Sequence, residues 1–224
     1  SDGTEKLRSR MLALNRDAAR YYYSVLQSPE GAAVQAYLDK RRIRRGIAVR
    51  FGMGAAPDSW DALLTAMTHK GYTKQELISA GLAVNGKNGR LYDKFRNRLM
   101  LPVIDVRGDV VGFGSRVLDK SEPKYMNTPE TLTYSKRRIL YGMNLAKKSK
   151  RSNIILCEGN LDVVTLHQAG FDNAVASMGT ALTQEQLRLL SRYTKELVLC
   201  YDNDNAGQQA TRRALELLNN SEFS

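Results

Sequence analysis

Three acidic residues of this sequence stand where a divalent cation could bind. Glu158 follows the apolar run Ile154–Cys157. Asp202 and Asp204 follow the run Leu197–Tyr201. An unpaired carboxylate beside a buried strand is costly, and a cation that prefers oxygen ligands, such as Mg²⁺, would offset that cost. The pattern therefore indicates a metal site built from Glu158, Asp202 and Asp204.

Each of these carboxylates also has a structural explanation. Asp204 could cap the helix that begins near Ala206, and Asp202 could accept hydrogen bonds in an Asx-turn. Glu158 could pair with a nearby arginine. An EF-hand loop is excluded, because Arg213 stands where that loop needs a bidentate glutamate. The residues by themselves leave the metal site and the structural roles open.

The acidic residues lie in a region where predicted strands and helices alternate. The predicted strands are Ile154–Glu158, Ala174–Ser177 and Glu196–Tyr201, and the predicted helices are about Leu161–Ala169, Thr183–Tyr193 and Ala206–Asn219. Such alternation predicts a parallel sheet with right-handed crossovers. Ligands bind outside the carboxyl ends of the strands in such sheets, which is where the three carboxylates fall.

The first two thirds of the chain has a different pattern. Helices are predicted for Thr4–Gln27, for Pro29–Lys40 and for two short segments, Trp60–Lys70 and Lys74–Ala80. Two apolar runs, Leu99–Val106 and Val110–Gly114, predict a hairpin, and the polar stretch Asp119–Thr133 predicts a surface loop. We expect an α/β protein with a mixed α+β subdomain over residues 1–150 and a parallel α/β module over residues 151–224.

Charge separates the same two regions. Residues 1–150 carry 28 Lys and Arg against 14 Asp and Glu, whereas residues 151–224 carry 6 against 9. The net charge of +11 is therefore a property of the first region. Lysine and arginine neutralise phosphates, so this region suits a polyanion, although a solvated basic surface would have the same composition.

Cysteine usage and hydropathy exclude several classes of protein. Cys157 and Cys200 each end an apolar run and are expected to be buried, and no Cys/His cluster is present, so we expect no zinc in this chain. No apolar segment has membrane-spanning length and no signal peptide is visible. We therefore expect a cytoplasmic protein that does not contact a membrane.

The spacing of the acidic residues resembles a known module. Glu158-Gly159, followed about forty residues later by Asp202-x-Asp204-x-Ala206-Gly207, is similar to the TOPRIM fold of DnaG-type primases, topoisomerases and some small nucleases. This resemblance implies that Glu158, Asp202 and Asp204 bind metal and are catalytic. Asp162 matches a further acidic position that is common in primases.

Other stretches resemble bacterial DnaG-type primases, and they run in order along nearly the whole chain: Tyr37–Arg41, Arg50–Gly54, Ala56–Trp60, Asp93–Arg98, Gly112–Val117, Pro123–Thr131 and Leu140–Gly142. The resemblance implies nucleotide or DNA contacts for Arg41, Arg96, Arg98, Arg116, Lys124, Tyr125, Asn127 and Lys136. Arginine can grip a phosphate with two hydrogen bonds, and lysine supplies a point charge. The sequence departs from the family at Asn203 and Arg42, where glycine is usual, and at Asn160-Leu161, where an aromatic–Met pair is usual.

The resemblance implies DNA-templated synthesis of short RNA primers by metal-dependent nucleotidyl transfer. The expected cofactors are two or more Mg²⁺ or Mn²⁺ ions, and the expected partners are single-stranded DNA, ribonucleoside triphosphates and a replicative helicase. The family's zinc-binding and helicase-binding domains are absent here, and we expect a fragment whose TOPRIM module is incomplete at its C-terminus. The alternatives are a TOPRIM-type nuclease and an inactive nucleic-acid-binding or nucleotide-binding fragment. A topoisomerase would need a nucleophilic tyrosine, and none stands out.

Overall fold

A computed structural model describes residues 1–223 of the chain. The chain divides into two compact units. Unit 1 contains Ser1–Val103 and Asp109–Tyr134, and unit 2 contains Ile104–Gly108 and the chain from Ser135 onwards. None of the helices within residues 1–223 is long and apolar enough to cross a membrane.

Unit 1 is built around one long helix. Its helices are α1 (Asp2–Leu26), α2 (Ala32–Lys40), α3 (Arg45–Arg50), α4 (Ala62–His69) and α5 (Lys74–Ser79), with a 3₁₀ turn at Pro29–Gly31. The apolar side of α1, which includes Leu14, Ala18 and Tyr22, is buried, as the helical spacing of these residues predicts. This side packs along the sheet of the same unit.

Two sheets complete unit 1. Its larger sheet has the order β1 (Gly54–Ala56), β4 (Arg98–Ile104), β5 (Val110–Val117), β6 (Tyr125–Asn127), and a separate antiparallel hairpin joins β2 (Ala83–Asn85) to β3 (Leu91–Asp93). The predicted β4–β5 hairpin is confirmed. The predicted loop over residues 119–133 is wrong for Tyr125–Asn127, because β6 pairs with β5 through contacts that no local pattern specifies.

The end of α2 explains one departure from the family pattern. Arg42 has φ of 58°, and the chain closes with Ile43 N–H donating to Leu38 O and Arg42 N–H donating to Asp39 O. This is a Schellman motif, whose left-handed position favours glycine. Gly71 and Gly81 hold the same position after α4 and α5. Glycine is the usual family residue at position 42 because of this left-handed conformation, and Arg42 adopts it without that freedom.

Unit 2 contains the parallel sheet that the alternating pattern predicts. Its elements are α6 (Met143–Ala146), β7 (Ile154–Cys157), α7 (Asn160–Gln168), β8 (Ala174–Ala176), α8 (Gln184–Ser191), β9 (Leu197–Cys200) and α9 (Asn205–Asn219). The strand order is β8-β7-β9, and both pairs are parallel. Thr183 and Gln186 form the expected capping box at the start of α8.

The two cysteines lie opposite each other in this sheet but differ in exposure. Cys157 on the central strand is buried, as expected, whereas Cys200 on the edge strand β9 is exposed. The expectation that both are buried is therefore wrong for Cys200, because an edge strand has a neighbour on one side only.

The contacts place the unit boundary before residue 150. Tyr141 forms a backbone bridge to Ala176, and α6 packs on β8, so residues 135–150 associate with the parallel sheet. The change in composition near residue 150 is a change in charge, whereas the boundary between the units is set by packing. The two positions therefore differ.

Candidate functional site

The acidic edge of unit 2 forms where β7 and β9 end side by side. Cys157 pairs with Cys200 at the carboxyl ends of these parallel strands, so the residues that follow leave the sheet together. The Glu158 carboxylate accepts a hydrogen bond from the backbone N–H of Asp202, with Oε1 at 2.6 Å from N. The structure thus brings Glu158 and Asp202 together across a separation of 44 residues.

The other two predicted acidic residues are at helix N-termini. Asp204 Oδ1 accepts a hydrogen bond from Gly207 N–H at 2.7 Å, so Asp204 caps α9. Asp162 Oδ2 accepts one from Gly159 N–H at 3.2 Å, at the start of α7. The alternative role foreseen for Asp204 is therefore present, and the Asp204 carboxylate has a second oxygen beyond the bonded one.

Gly207 fixes the position of the acidic loop against α9. A Cβ atom at Gly207 would lie 1.8 Å from the carbonyl oxygen of Asp202. Only glycine allows the helix backbone to come this close to the loop. The residue's presence in the sequence pattern thus has a steric cause.

A cavity of about 260 Å³ opens beside Glu158. Tyr201, Ala206 and Arg213 also line it, together with the Ser177–Leu182 loop. Arg213 thus lines the same cavity as Glu158, which the sequence does not predict because spacing along α9 does not indicate what a side chain faces. A guanidinium beside a carboxylate edge is suited to a phosphate group.

The donor set of this edge suits a hard cation. Glu158, Asp202 and Asp204 offer carboxylate oxygens, the ligands that Mg²⁺ and Mn²⁺ prefer. Glu158 and Asp202 are adjacent, and Asp202 and Asp204 are exposed. Within residues 1–223, no group of three His, Cys, Asp or Glu side chains is close enough to form a ready-made metal site. The residues therefore fit a hard cation in chemistry, and they follow neighbouring strand ends, but the three carboxylates are not gathered into one site: Glu158 and Asp204 accept backbone hydrogen bonds instead.

The basic residues of unit 1 include a buried arginine on β4. Arg98 is 6% exposed, and its guanidinium donates to Pro123 O at 2.5 Å and to Lys124 O at 3.4 Å. Burial lowers the pKa of Arg98, and the neighbouring charges of Arg116 and Arg96 lower it further. These bonds hold the segment that leads into β6.

Arg116, on β5, is buried in an aromatic setting. It is also 6% exposed, and its guanidinium lies 5.1 Å from the ring centre of Tyr125 and 5.7 Å from that of Tyr37. Nη1 donates to Val117 O at 2.7 Å, whereas the buried Nε has no hydrogen-bond partner among the described residues. The Arg41 guanidinium also lies near Tyr37, 5.4 Å from the centre of its ring.

Neither Arg98 nor Arg116 forms a salt bridge within the described chain, and Asp119 is near enough to Arg98 only to raise its pKa against the effect of burial. No carboxylate of residues 1–223 lies within salt-bridge distance of either guanidinium, because the ion pairs that form involve other residues. A buried cation that no carboxylate contacts directly is unfavourable, and an anionic ligand would supply that contact. The arrangement therefore suits a phosphate group, in addition to the backbone contacts that these arginines make.

The remaining predicted contact residues are spread over both units. Lys124 and Tyr125 are exposed, Asn127 is half-buried on β6, and Arg96 is half-buried beside β3. Lys136 lies in unit 2, where its side chain is exposed and its carbonyl accepts a hydrogen bond from Gln186. Within unit 1, Arg41 and Arg116 thus lie near the rings of Tyr37 and Tyr125. Arg98 contacts the backbone of Pro123 and Lys124, just before β6.

The two departures near the acidic edge leave the carboxylates in place. Asn203 is exposed and accepts a hydrogen bond from Gln208 Nε2 at 3.2 Å. Asn160 is buried at the start of α7, and its Oδ1 has no partner within the described chain. Nothing in the structure explains why asparagine stands at position 160.

Family models match both parts of the chain. Residues 21–147 match "DNA primase catalytic core, N-terminal domain", and residues 155–224 match a "Toprim-like" model. The DNA primase of Clostridium acetobutylicum is 48% identical over 215 residues, which cover 96% of this chain and 36% of that protein. The DNA primase of Escherichia coli K12 is 42% identical over 198 residues, covering 88% and 34%. The chain thus spans about a third of the length of these relatives.

Solved structures agree with these matches. A DnaG primase catalytic domain bound to ssDNA superposes with a TM-score of 0.90 and 39% identity, covering 96% of this chain and 70% of that one. The RNA polymerase domain of Mycobacterium tuberculosis primase DnaG gives a TM-score of 0.86 and 41% identity, covering 93% and 71%. The chain belongs to the DnaG-type DNA primase family, with the N-terminal part of the catalytic core followed by a Toprim-like region.

Proposed function

We propose that this chain carries the catalytic centre for DNA-templated synthesis of short RNA primers. The substrates would be ribonucleoside triphosphates and the template single-stranded DNA. The observation that carries the proposal is the pair of buried guanidiniums, Arg98 and Arg116, neither of which forms a salt bridge in the described chain. A related catalytic domain has been solved bound to ssDNA, which supports the same template here.

The proposed roles divide between the two units. Arg41, Arg96, Arg98, Arg116, Lys124, Tyr125, Asn127 and Lys136 would contact phosphates or template. Glu158, Asp202 and Asp204 would hold two or more Mg²⁺ or Mn²⁺ ions, with Asp162 as a further ligand. Bound metal would favour attack of the primer 3′-hydroxyl on the α-phosphorus of a ribonucleoside triphosphate, and it would stabilise the pyrophosphate that leaves.

The chain's own residues would prepare this chemistry. The hydrogen bond from Asp202 N–H to Glu158 fixes the spacing between the two strand ends. The cap on α9 fixes the Asp204 carboxylate and leaves one of its oxygens for a ligand. The proposal includes a cytoplasmic location and contact with a replicative helicase through another part of the protein.

Mn²⁺ binding measured by calorimetry tests the acidic site. The double variant Asp202→Asn/Asp204→Asn should lose Mn²⁺ binding, while asparagine at 204 still caps α9, so that the fold is kept. Glu216→Gln, which removes an exposed carboxylate from the same helix, is the matched control and should bind as the parent does. Equal binding by the parent and the double variant would show that these carboxylates do not hold the metal.

A primer-synthesis assay tests the activity. Template, ribonucleotides and Mn²⁺ or Mg²⁺ should give short RNA products that the double variant does not make. Nucleic acid that is degraded when nucleotides are withheld would instead identify a TOPRIM-type nuclease. Template binding without any product would favour a nucleic-acid-binding role.

A further inference from the structure

The cavity beside Glu158 has a cationic side that the proposed metal ligands do not use. Helix α9 lines this cavity with Ala206, Ala210 and Arg213. Residues at this spacing lie on one face of a helix. The short side chains of the two alanines leave open space along that face, and Arg213 borders the space one turn further along α9.

Another wall of the cavity is the loop that follows β8, and hydrogen bonds fix its shape. Ser177 Oγ donates to Thr180 O at 2.9 Å, and Thr180 Oγ1 donates to Ser177 O at 2.8 Å. Gly179 N–H donates to Glu158 O at 3.4 Å, which joins the loop to the end of β7. Met178 has φ of 57° within this loop, and such strain in a residue with a side chain is concentrated at binding sites.

The Arg213 guanidinium faces the cavity without a carboxylate partner. The side chain is exposed, and its Nε donates to Gln209 O at 3.4 Å. Among the described residues, no carboxylate lies within salt-bridge distance of Arg213, although Glu158 lines the same cavity. A guanidinium and a carboxylate that share a cavity without pairing suit a ligand that carries both signs of charge.

A phosphate group bound to a divalent cation carries both signs of charge. The cation is attracted to carboxylate oxygens, and the phosphate oxygens accept paired hydrogen bonds from a guanidinium. The volume of the cavity is about 260 Å³. At about 30 Å³ for each water, this is the volume of roughly nine water molecules. The cavity therefore has room for a diphosphate group.

We propose that Arg213 binds the β- and γ-phosphates of the incoming ribonucleoside triphosphate, the part that leaves as pyrophosphate. The primer 3′-hydroxyl attacks the α-phosphorus and loses its proton to solvent. The bond from that phosphorus to the bridging oxygen breaks, and its electron pair leaves with pyrophosphate. Arg213 offsets the negative charge that collects there. This inference deepens the proposed function and rests on it, because it assigns a residue to the substrate of the same reaction.

Calorimetry of pyrophosphate binding to the 224-residue chain in the presence of Mn²⁺ tests this role. Arg213→Gln should weaken pyrophosphate binding about tenfold, because hydrogen bonds from a charged donor are lost, while Mn²⁺ alone should bind as it does to the parent. Arg213→Lys should give an intermediate affinity, since it keeps the charge without the paired donors. Arg192→Gln removes an exposed guanidinium at the end of α8 and should bind pyrophosphate as the parent does.

A steric variant tests the cavity independently of charge. Ala210→Leu places a larger side chain in the space beside Arg213, and it should also weaken pyrophosphate binding. The affinity for a single-stranded oligonucleotide should be the same in Arg213→Gln and the parent. A loss of oligonucleotide affinity with unchanged pyrophosphate binding would assign Arg213 to the backbone of a strand and overturn the inference.

The outcomes separate this inference from the proposed function. A parent that binds Mn²⁺, with equal pyrophosphate affinity in Arg213→Gln, would overturn the role of Arg213 and leave the proposed function standing. A loss of Mn²⁺ binding in Arg213→Gln would also overturn it, because the residue would then act on the acidic loop. A parent that binds neither Mn²⁺ nor pyrophosphate would overturn the proposed metal site together with this inference.

Discussion

The carboxylate of Asp93 is a structural element of unit 1. It is 1% exposed and accepts hydrogen bonds from Leu63 N–H at 2.8 Å and Leu64 N–H at 2.9 Å. Asp93 therefore caps helix α4 from strand β3, while Asp61 at the N-cap position of α4 makes no side-chain hydrogen bond to the helix. Burial raises the pKa of Asp93 to about 6 although these backbone bonds lower it.

This raised pKa predicts a pH dependence of stability. Between pH of about 4 and about 6 the folded chain holds more protons than the unfolded chain, so the free energy of unfolding falls as pH rises through this window. A pKa difference of this size corresponds to a change on the order of 3 kcal/mol. Asp93→Asn should flatten that part of the profile in urea unfolding, because asparagine does not titrate.

Asp93→Ala serves as the comparison for the cap itself. Relative to Asp93→Asn it should cost about 1–2 kcal/mol at every pH, because neither side chain titrates and alanine leaves two backbone N–H groups without an acceptor. An Asp93→Asn profile with the same slope as the parent would show that another group is responsible.

At the scale of elements, the join between the acidic loop and α9 decides the geometry of the candidate metal site. Asp204 starts the helix, and Gly207 lets the helix backbone contact the carbonyl of Asp202. The loop and the helix therefore form one rigid unit, and a change in the helix moves the carboxylates.

Gly207→Ala should disrupt this unit. The added methyl would lie 1.8 Å from Asp202 O, so the loop must shift, and we expect Mn²⁺ binding to be lost together with a few kcal/mol of stability. Gly46→Ala on α3 is the matched control, because no atom lies within 4 Å of its added methyl. That control should gain roughly 0.5–1 kcal/mol from helix propensity. Unchanged Mn²⁺ binding in Gly207→Ala would argue against a fixed loop.

For the whole molecule, the uneven distribution of charge should govern association with DNA. The excess of Lys and Arg lies within residues 1–150, while the carboxylates of the candidate metal site lie in the mildly acidic remainder. Binding of single strands should accordingly weaken as salt rises, because counterions are released on binding.

The salt dependence can be assigned to individual side chains. Lys124→Gln should reduce the slope of log affinity against log salt concentration by about 0.7, since one phosphate contact on a single strand is lost. Lys124 is exposed, so this change leaves the core unaltered. Lys6→Gln makes an equal change of charge at an exposed position of α1, and it should leave the slope close to that of the parent. Equal slopes for all three proteins would remove Lys124 from the contact set.

The sequence by itself determined much of this protein, because several signals are local. The alternation of strands and helices after Asn153, the capping box of Thr183 and the buried stripe of α1 follow from residue spacing and short-range hydrogen bonds. The TOPRIM-like pattern and the primase-like stretches likewise indicate the family, and the matching family models confirm it.

The tertiary structure decided what depends on distant neighbours. It paired β6 with β5, left Cys200 on an exposed edge, buried Arg116 near two tyrosine rings and placed Arg213 in the lining of the same cavity as Glu158. It also gave α4 a cap from Asp93, thirty residues further along the chain. These features need the packing of segments that lie far apart in sequence, and propensity and periodicity carry no information about such partners.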